Sequence, residues 1–533
     1  KMLTTEKKTY KMNTTKKLLS VILVFFMALQ MVSSVKAQDS DIVIQTKKAQ
    51  HTINKNIYGH FSEHLGTLIY GGIWVGEDSD IPNTNGYRTD VLEALKKLKI
   101  PVLRWPGGCF ADTYHWKDGI GPKEERPSIV NVHWGGVTED NSFGTHEFLN
   151  FCELINTEPY LSINVGTGTV QEAVDWVEYV TSGNESPMTE LRKKNGREDP
   201  WDVKFWGIGN ETWGCGGDMR PEYYADVYRH FAGYVRGHEF QRVAVGPSSS
   251  DYNWTEKLMK GLKNKLHLVQ GISLHHYTLP TGNWSKKGSS TDFEENLWFS
   301  TFKNTMVVEE FIKNHLAIMD KYDPGGRVSL IVDEWGTWYD PLPETNPGFL
   351  QQQNSLRDAL VAGVNLNIFN NYAERISMAN IAQIVNVLQA TILTEGSRMV
   401  KTPTYHVFKM YNVHQDALLL PTQINTPHYT FNDESLPALT VSASQDENEN
   451  IHITVTNIDP NKSISTTIRT DMDEKFMVLK AEIITADEIN AYNDFGKEEK
   501  VNIQAFADYK AKDKRFILEM PSKSVVLLTL AEK

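Results

Sequence analysis

From Ile57 to about Thr394 short apolar runs alternate with segments of helical period, and this alternation constrains the fold more than any other feature of the chain. Strands buried on both faces read as nearly unbroken apolar runs, and helical crossovers between them oblige the strands to lie parallel. Eight runs qualify: Ile57–Glu63, Pro101–Trp105, Pro159–Val165, Val203–Glu211, Arg242–Gly246, Val269–Tyr277, Val328–Trp335 and Asn365–Tyr372. Between them lie segments such as Thr89–Lys99, where Val91, Leu92, Leu95 and Leu98 share one face, and Pro221–Val235, with proline at its start. Eight strands and eight crossovers in about 340 residues predict an α/β chain folded as a closed (β/α)8 TIM barrel. The lack of a Gly-x-Gly-x-x-Gly turn after the first strand weighs against an open doubly wound sheet.

Beyond about Gly396 the pattern changes to strands separated by Asn, Asp, Lys and Glu clusters: Leu439–Ala443, Ile451–Thr456, Ser463–Arg469, Met477–Ile484 and Ser524–Leu530. This predicts a C-terminal all-β sandwich at 396–533, after a barrel at 56–395. The brief alternation at Asp41–Lys47 adds a lone strand, so residues 38–55 are expected to complete the sandwich. Residues 1–37 read as a targeting segment, with Lys16 and Lys17 ahead of an apolar run from Leu18 to about Val32 and small residues before Ala37. Export to the periplasm or medium, with cleavage near Ala37, is the expectation. That run is shorter than the roughly 20 residues a span needs, so no membrane span is expected. A net charge of −13 argues against nucleic acid or an anionic membrane as partner, and a homo-oligomer is compatible with the sequence. Three cysteines are too few for a disulfide framework.

Two of the runs end alike. Val203–Trp213 closes on Gly-Asn210-Glu211-Thr-Trp213, and Val328–Trp335 on Asp-Glu334-Trp335, so each carries a glutamate at the C-terminal end of a buried strand. Counted as strands four and seven, they face each other across the barrel mouth, where such enzymes hold their reacting groups. Two carboxyls flanking one bond are what acetal hydrolysis requires, one protonated to supply the leaving oxygen and one ionised to attack carbon.

The two glutamate motifs, with Gly59-His-Phe-Ser-Glu63-His64, Leu103-Arg104-Trp-Pro-Gly-Gly108-Cys109, Ile272-Ser-Leu-His-His-Tyr277 and Met378-Ala-Asn-Ile-Ala-Gln383-Ile-Val-Asn386, resemble the retaining α-L-arabinofuranosidases of glycoside hydrolase family 51. The resemblance runs from about residue 41 to the C-terminus. It implies Glu211 as general acid/base, Glu334 as nucleophile, Asn210 on the sugar 2-hydroxyl, Glu63 and Gln383 on furanose hydroxyls, and Tyr277 beside the nucleophile. Arg104, at the end of strand two, is expected near Glu334, where a cation keeps a carboxylate ionised. The substrate implied is an arabinose-containing oligo- or polysaccharide, with no cofactor. Where many members of the family carry Asn, this chain has Cys109, which is read as a wall of the sugar pocket.

Other residues carry less. His275 and His276 are adjacent on a strand, point to opposite faces and do not share a ligand, and no metal-binding motif accompanies them, so no metal site is expected. Gly166-Thr-Gly-Thr169 is read as the turn after strand three. Trp116, Trp134, Trp213 and Trp338 fall on loops where an aromatic face can stack on a sugar. Two alternatives stay open: a β-1,4-glucanase or xylosidase on the same barrel, and a non-catalytic carbohydrate-binding protein.

Overall fold

The computed structural model describes residues 38–533 apart from 472, 473 and 513, so the apolar run of residues 18–32 and the expected cleavage point lie outside the described residues. Eight parallel strands close into a barrel in sequence order: Gly59–Phe61, Val102–Trp105, Glu158–Ile163, Phe205–Ile208, Gln241–Ala244, Gly271–Thr278, Ser329–Thr337 and Ile376–Ala382. The last returns to the first, with Asn380 opposite Gly59. Inside, Val102, Tyr160, Val243, Ile331 and Met378 come from five different strands and form a buried layer, so the barrel is a packed core with its open end at the strand C-termini.

The eighth expected strand, Asn365–Tyr372, is a misreading: it falls at the end of the helix Leu356–Asn371, and the strand that closes the barrel is Ile376–Ala382. Every residue from Leu356 to Asn370 is buried, because the helix packs against the sandwich on one side and the barrel on the other. A helix with no solvent face has no polar stripe to display its period. Its asparagines nonetheless keep helical spacing. Asn367, Asn370 and Asn371 donate to Thr440 Oγ1 at 3.0 Å, Ser442 Oγ at 3.0 Å and the Val441 carbonyl at 2.9 Å, so one face is bonded to the sandwich. Beyond residue 396, where only strands were expected, the helix Pro403–Tyr411 belongs to the last βα unit. It packs on the helix Thr89–Leu98, with Tyr405 Oη donating to the Ala94 carbonyl at 3.0 Å.

Besides four two-stranded sheets, the remaining described strands form two larger ones. One runs in the order 418–419, 439–445, 451–457, 524–532, 476–484, 504–505, and the other 422–425, 38–44, 464–470, 515–520, 509–512. The strand Gln38–Ile44 is therefore internal to the second sheet, with Asp41 opposite Asn425 and Ile44 opposite Thr422. Among the described residues no helix is long and apolar enough to cross a membrane.

Candidate active site

Strands six and seven run in register with His275 opposite Glu334, which brings both side chains to one place at the barrel mouth. Both oxygens of Glu334 are held: Arg104 Nη1 donates to Oε1 at 2.9 Å and Tyr277 Oη donates to Oε2 at 2.7 Å. Arg104 comes from strand two and is buried, with Nε 3.6 Å from Asp333 Oδ2 and its guanidinium 4.5 Å from the centre of the Phe61 ring. Asp333 in turn accepts from Tyr160 Oη at 2.9 Å and from Asn380 Nδ2 at 2.6 Å, so the cation beside Glu334 is itself fixed.

Glu211 follows strand four on left-handed backbone, φ 39°, a strained conformation for a residue with a side chain. Gly209, two residues earlier, has φ 87°, and a Cβ there would lie 2.4 Å from Val165 Cγ2, so glycine is required for the turn. His275 bridges the two acids: its Nδ1 is 2.9 Å from Glu211 Oε1 and 3.6 Å from Glu334 Oε2. One oxygen from each glutamate and a ring nitrogen of His275 lie within 4.8 Å of one another.

These surroundings push the two carboxyls apart. Burial raises Glu211, and the nearby Glu334 charge adds to that, so it holds its proton above the usual carboxylate range despite the His275 hydrogen bond. Burial acts on Glu334 in the same sense but is overcome by His275, Arg104 and the Tyr277 hydrogen bond, which hold it below that range. Burial alone would lower His275, but the charges of Glu334 and Glu211 raise it. The site therefore contains one carboxyl that keeps its proton to higher pH than usual and one that gives it up more readily.

Asn210 lies against Arg104. Arg104 Nη2 donates to its Oδ1, and because a guanidinium only donates, this fixes the amide with Nδ2 turned away. That Nδ2 is buried without a partner among the described residues. The Asn210 backbone N–H donates to Asp112 Oδ2 at 2.9 Å, while Asp112 Oδ1 accepts from Val165 N at 2.8 Å and Gly166 N at 3.1 Å, which ties together the loops after strands two, three and four. Glu63 and Gln383 meet across the seam between strands one and eight: Glu63 N donates to Gln383 Oε1 at 3.0 Å, and Gln383 Nε2 donates to Glu63 Oε2 at 3.3 Å. Phe110 N donates to Glu63 Oε1 at 3.0 Å, yet burial still pushes this carboxyl up to about 7.

Glu63, Cys109, Asn210, Glu211, Tyr277 and Glu334 all border a pocket with about 310 Å³ of atom-free space, as does Gln383, and Arg104 stands behind it. Trp134 and Trp338 also line it. Trp116 is buried and stacks on Trp176, while half-buried Trp213 donates to the Gly246 carbonyl at 3.1 Å. Thr169 is the N-cap of the helix Val170–Thr181, so the Gly166–Thr169 segment is the turn it was read as.

The cysteine expectation needs correcting. Cys109 and Cys215 form a disulfide, with Cα atoms 5.4 Å apart, joining the loops after strands two and four; Cys152 is free and buried. Cys109 does border the pocket, but as a bridged sulfur with no thiol proton. Cys215 Sγ lies 3.6 Å from Glu211 Oε2. Sequence reading also passed over His275 in any role but that of metal ligand. The signal was its spacing of two from Tyr277, which puts both on the inward face of strand six.

A closed (β/α)8 barrel with a pair of unlike carboxyls at its C-terminal mouth, Glu334 buried and Glu211 partly exposed, backed by a sandwich, defines a glycoside hydrolase of the carboxylate-pair class. A family model described as "Alpha-L-arabinofuranosidase 1 domain" matches residues 94–289, and one described as "Alpha-L-arabinofuranosidase C-terminal domain" matches 333–524. The chain is 50% identical over 502 residues, 93% of its length and 97% of the relative's, to a Bacteroides ovatus protein named intracellular exo-alpha-L-arabinofuranosidase. It is similar to the crystal structure of the family 51 arabinofuranosidase from Xanthomonas axonopodis pv. citri, with 47% identity, 92% of this chain and 100% of that one covered, and a TM-score of 0.90. For the Thermotoga maritima α-L-arabinofuranosidase in its arabinose complex the figures are 30%, 93%, 100% and 0.79. The chain belongs to the α-L-arabinofuranosidases of glycoside hydrolase family 51. The glucanase, xylosidase and non-catalytic alternatives give way to this finding. The expectation of export is overturned as well, because the half-identical Bacteroides relative is named intracellular. An apolar run behind two lysines is a compositional signal, and it lies outside the described residues.

Proposed function

We propose that the protein removes terminal non-reducing α-L-arabinofuranosyl residues from arabinose-containing oligo- or polysaccharides by double displacement, with Glu334 as nucleophile and Glu211 as general acid/base. The observation that carries this reading is the split between the two carboxyls. His275, Arg104 and Tyr277 hold Glu334 below the usual carboxylate range, burial holds Glu211 above it, and facing oxygens lie within 4.8 Å. Retaining glycosidases hold their carboxyl groups about 5–5.5 Å apart, whereas inverting enzymes need roughly 6.5–9.5 Å to admit a water. In the first step a Glu334 oxygen bonds to the anomeric carbon, the glycosidic carbon–oxygen bond breaks, and the Glu211 proton goes to the leaving oxygen. In the second, Glu211 takes a proton from water, the water oxygen bonds to the anomeric carbon, and the ester to Glu334 breaks. The two inversions give net retention. Asn210 Nδ2, buried and unpartnered, is the donor for the sugar 2-hydroxyl, and Glu63 with Gln383 receives the remaining furanose hydroxyls.

Azide rescue tests the two roles separately. Glu211→Ala keeps the nucleophile, so an aryl arabinofuranoside, whose leaving group needs little protonation, still forms the glycosyl-enzyme. Azide then replaces the activated water and gives the α-arabinosyl azide. Glu334→Ala forms no such intermediate, and azide attack on the opposite face gives the β anomer. The same anomer from both variants, read by NMR, rules out this assignment of roles.

A further inference from the structure

Glu211 stands in a turn that needs to be held. Its backbone is left-handed at φ 39°, and a conformation of this kind persists only where the surroundings impose it. The turn's own bonds, from Gly214 N and Gly216 N to the Glu211 carbonyl at 2.7 and 3.1 Å, lie on the C-terminal side of that residue. On the N-terminal side the Asn210 N–H donates to Asp112 Oδ2 at 2.9 Å, so a buried carboxylate holds the backbone one residue before the strained one.

Asp112 belongs to the short helical segment Cys109–Thr113 that follows strand two, whereas the N–H groups its carboxylate accepts come from the loops after strands three and four. Those loops approach closely because each has a glycine at the contact. A Cβ at Gly166 would stand 2.6 Å from the Asp112 carbonyl oxygen, and one at Gly216 would stand 2.7 Å from Asp112 Oδ2 and 1.9 Å from the Asn210 carbonyl oxygen. The helical segment is itself anchored, since Phe110 N donates to Glu63 Oε1 at 3.0 Å and Cys109 is joined to Cys215, four residues past Glu211. The turn that bears Glu211 is thus gripped at Asn210 by Asp112 and at Cys215 by the disulfide. Burial pushes the Asp112 carboxyl up to about 7 even with these N–H bonds, so an acid at this position is costly and packing alone does not call for one.

We propose that Asp112 is a positioning residue for proton transfer: by accepting from Asn210 N it fixes the direction of the Glu211 carboxyl that follows, and so its reach to the leaving oxygen. This rests on the role of Glu211 proposed above and adds the residue that aims it. Asp112 does not border the pocket, so it acts only through the turn. Asp112→Asn keeps nearly the same shape but has a single carbonyl oxygen. With that oxygen on the two N–H groups of Val165 and Gly166, the amide NH2 meets the Asn210 N–H, donor against donor, and the turn loses its acceptor.

The leaving group reads the placement of the acid. A p-nitrophenyl group departs with little protonation and a phenyl group needs more, so the ratio of kcat/KM for p-nitrophenyl over phenyl α-L-arabinofuranoside rises when Glu211 is misplaced. A loss of folded enzyme leaves that ratio unmoved. In Asp112→Asn the ratio is expected to rise about tenfold, a part of the effect of about 10²-fold that a misplacement of ~1 Å can have. An unchanged ratio, with both activities at the wild-type level or reduced in parallel, overturns the proposal and leaves Asp112 a purely structural residue, even if the urea midpoint falls. Where Asp112→Asn does not fold, Asp112→Glu keeps the charge with its oxygens displaced by one methylene, and the same ratio decides. Glu211→Ala separates this proposal from the function beneath it. A raised ratio in Glu211→Ala with an unchanged one in the Asp112 variant rejects only the positioning by Asp112, whereas no rise in Glu211→Ala rejects the role of Glu211 itself.

Discussion

His275 acts on the ionisation of both acids, and its contact with each is the residue-scale feature with the clearest consequence. It lowers Glu334 by charge and Glu211 by hydrogen bond and charge, so without it both carboxyls ionise less readily. With the roles proposed above, activity is lost on the acid side when Glu334 takes up a proton, and on the alkaline side when Glu211 loses one. His275→Gln should therefore move both limbs of the kcat/KM profile to higher pH and, at the wild-type optimum, reduce activity on the order of 10²-fold, at the low end of general acid–base effects. The profile on an aryl arabinofuranoside checks this. Limbs that stay in place mean that His275 is neutral in the working enzyme. In the sequence the two glutamates were legible because each ended an apolar run at a strand tip. His275 was not, because the pair it bridges comes together only when strand four faces strands six and seven.

At the scale of elements, the buried helix Leu356–Asn371 joins the two halves of the fold, and Gly363 is where it approaches the sandwich. A Cβ at Gly363 would stand 2.7 Å from Thr456 Oγ1 and 3.3 Å from Val525 Cγ2. Gly363→Leu gains about 1 kcal/mol of helix propensity, and overfilling a packed interface costs about 1–3 kcal/mol. A net loss of stability is expected, read as a lower urea midpoint; a higher midpoint would show that the interface has room. The strands were readable in sequence where an apolar run was bounded by turns. This helix was mistaken for one because a segment covered on all sides shows the same unbroken apolarity in either conformation. The Cys109–Cys215 bridge was illegible for another reason. Its cysteines are 106 residues apart and meet only because the loops after strands two and four open onto one mouth.

At the scale of the whole molecule, the chain enters the sandwich before it enters the barrel. Ile42 and Ile44 are fully buried in the strand Gln38–Ile44, which has neighbours on both sides in its sheet. Ile44→Ala should cost about 2–5 kcal/mol, as for other core truncations, measured by urea denaturation, whereas a loosely attached tail would show a change within about 0.5 kcal/mol. By itself the sequence determined the periodicities, and with them a parallel barrel followed by a strand-rich domain. It also placed Glu211 and Glu334 at strand ends, since those features depend on neighbours a few residues away. The tertiary structure decided which segment closes the barrel, which cysteines join and that His275 bridges the acids. Each of these depends on contacts between residues distant in the chain, and so does the difference between the two carboxyls: burial raises both, and what separates them is the set of charges and hydrogen bonds that the closed barrel gathers around each.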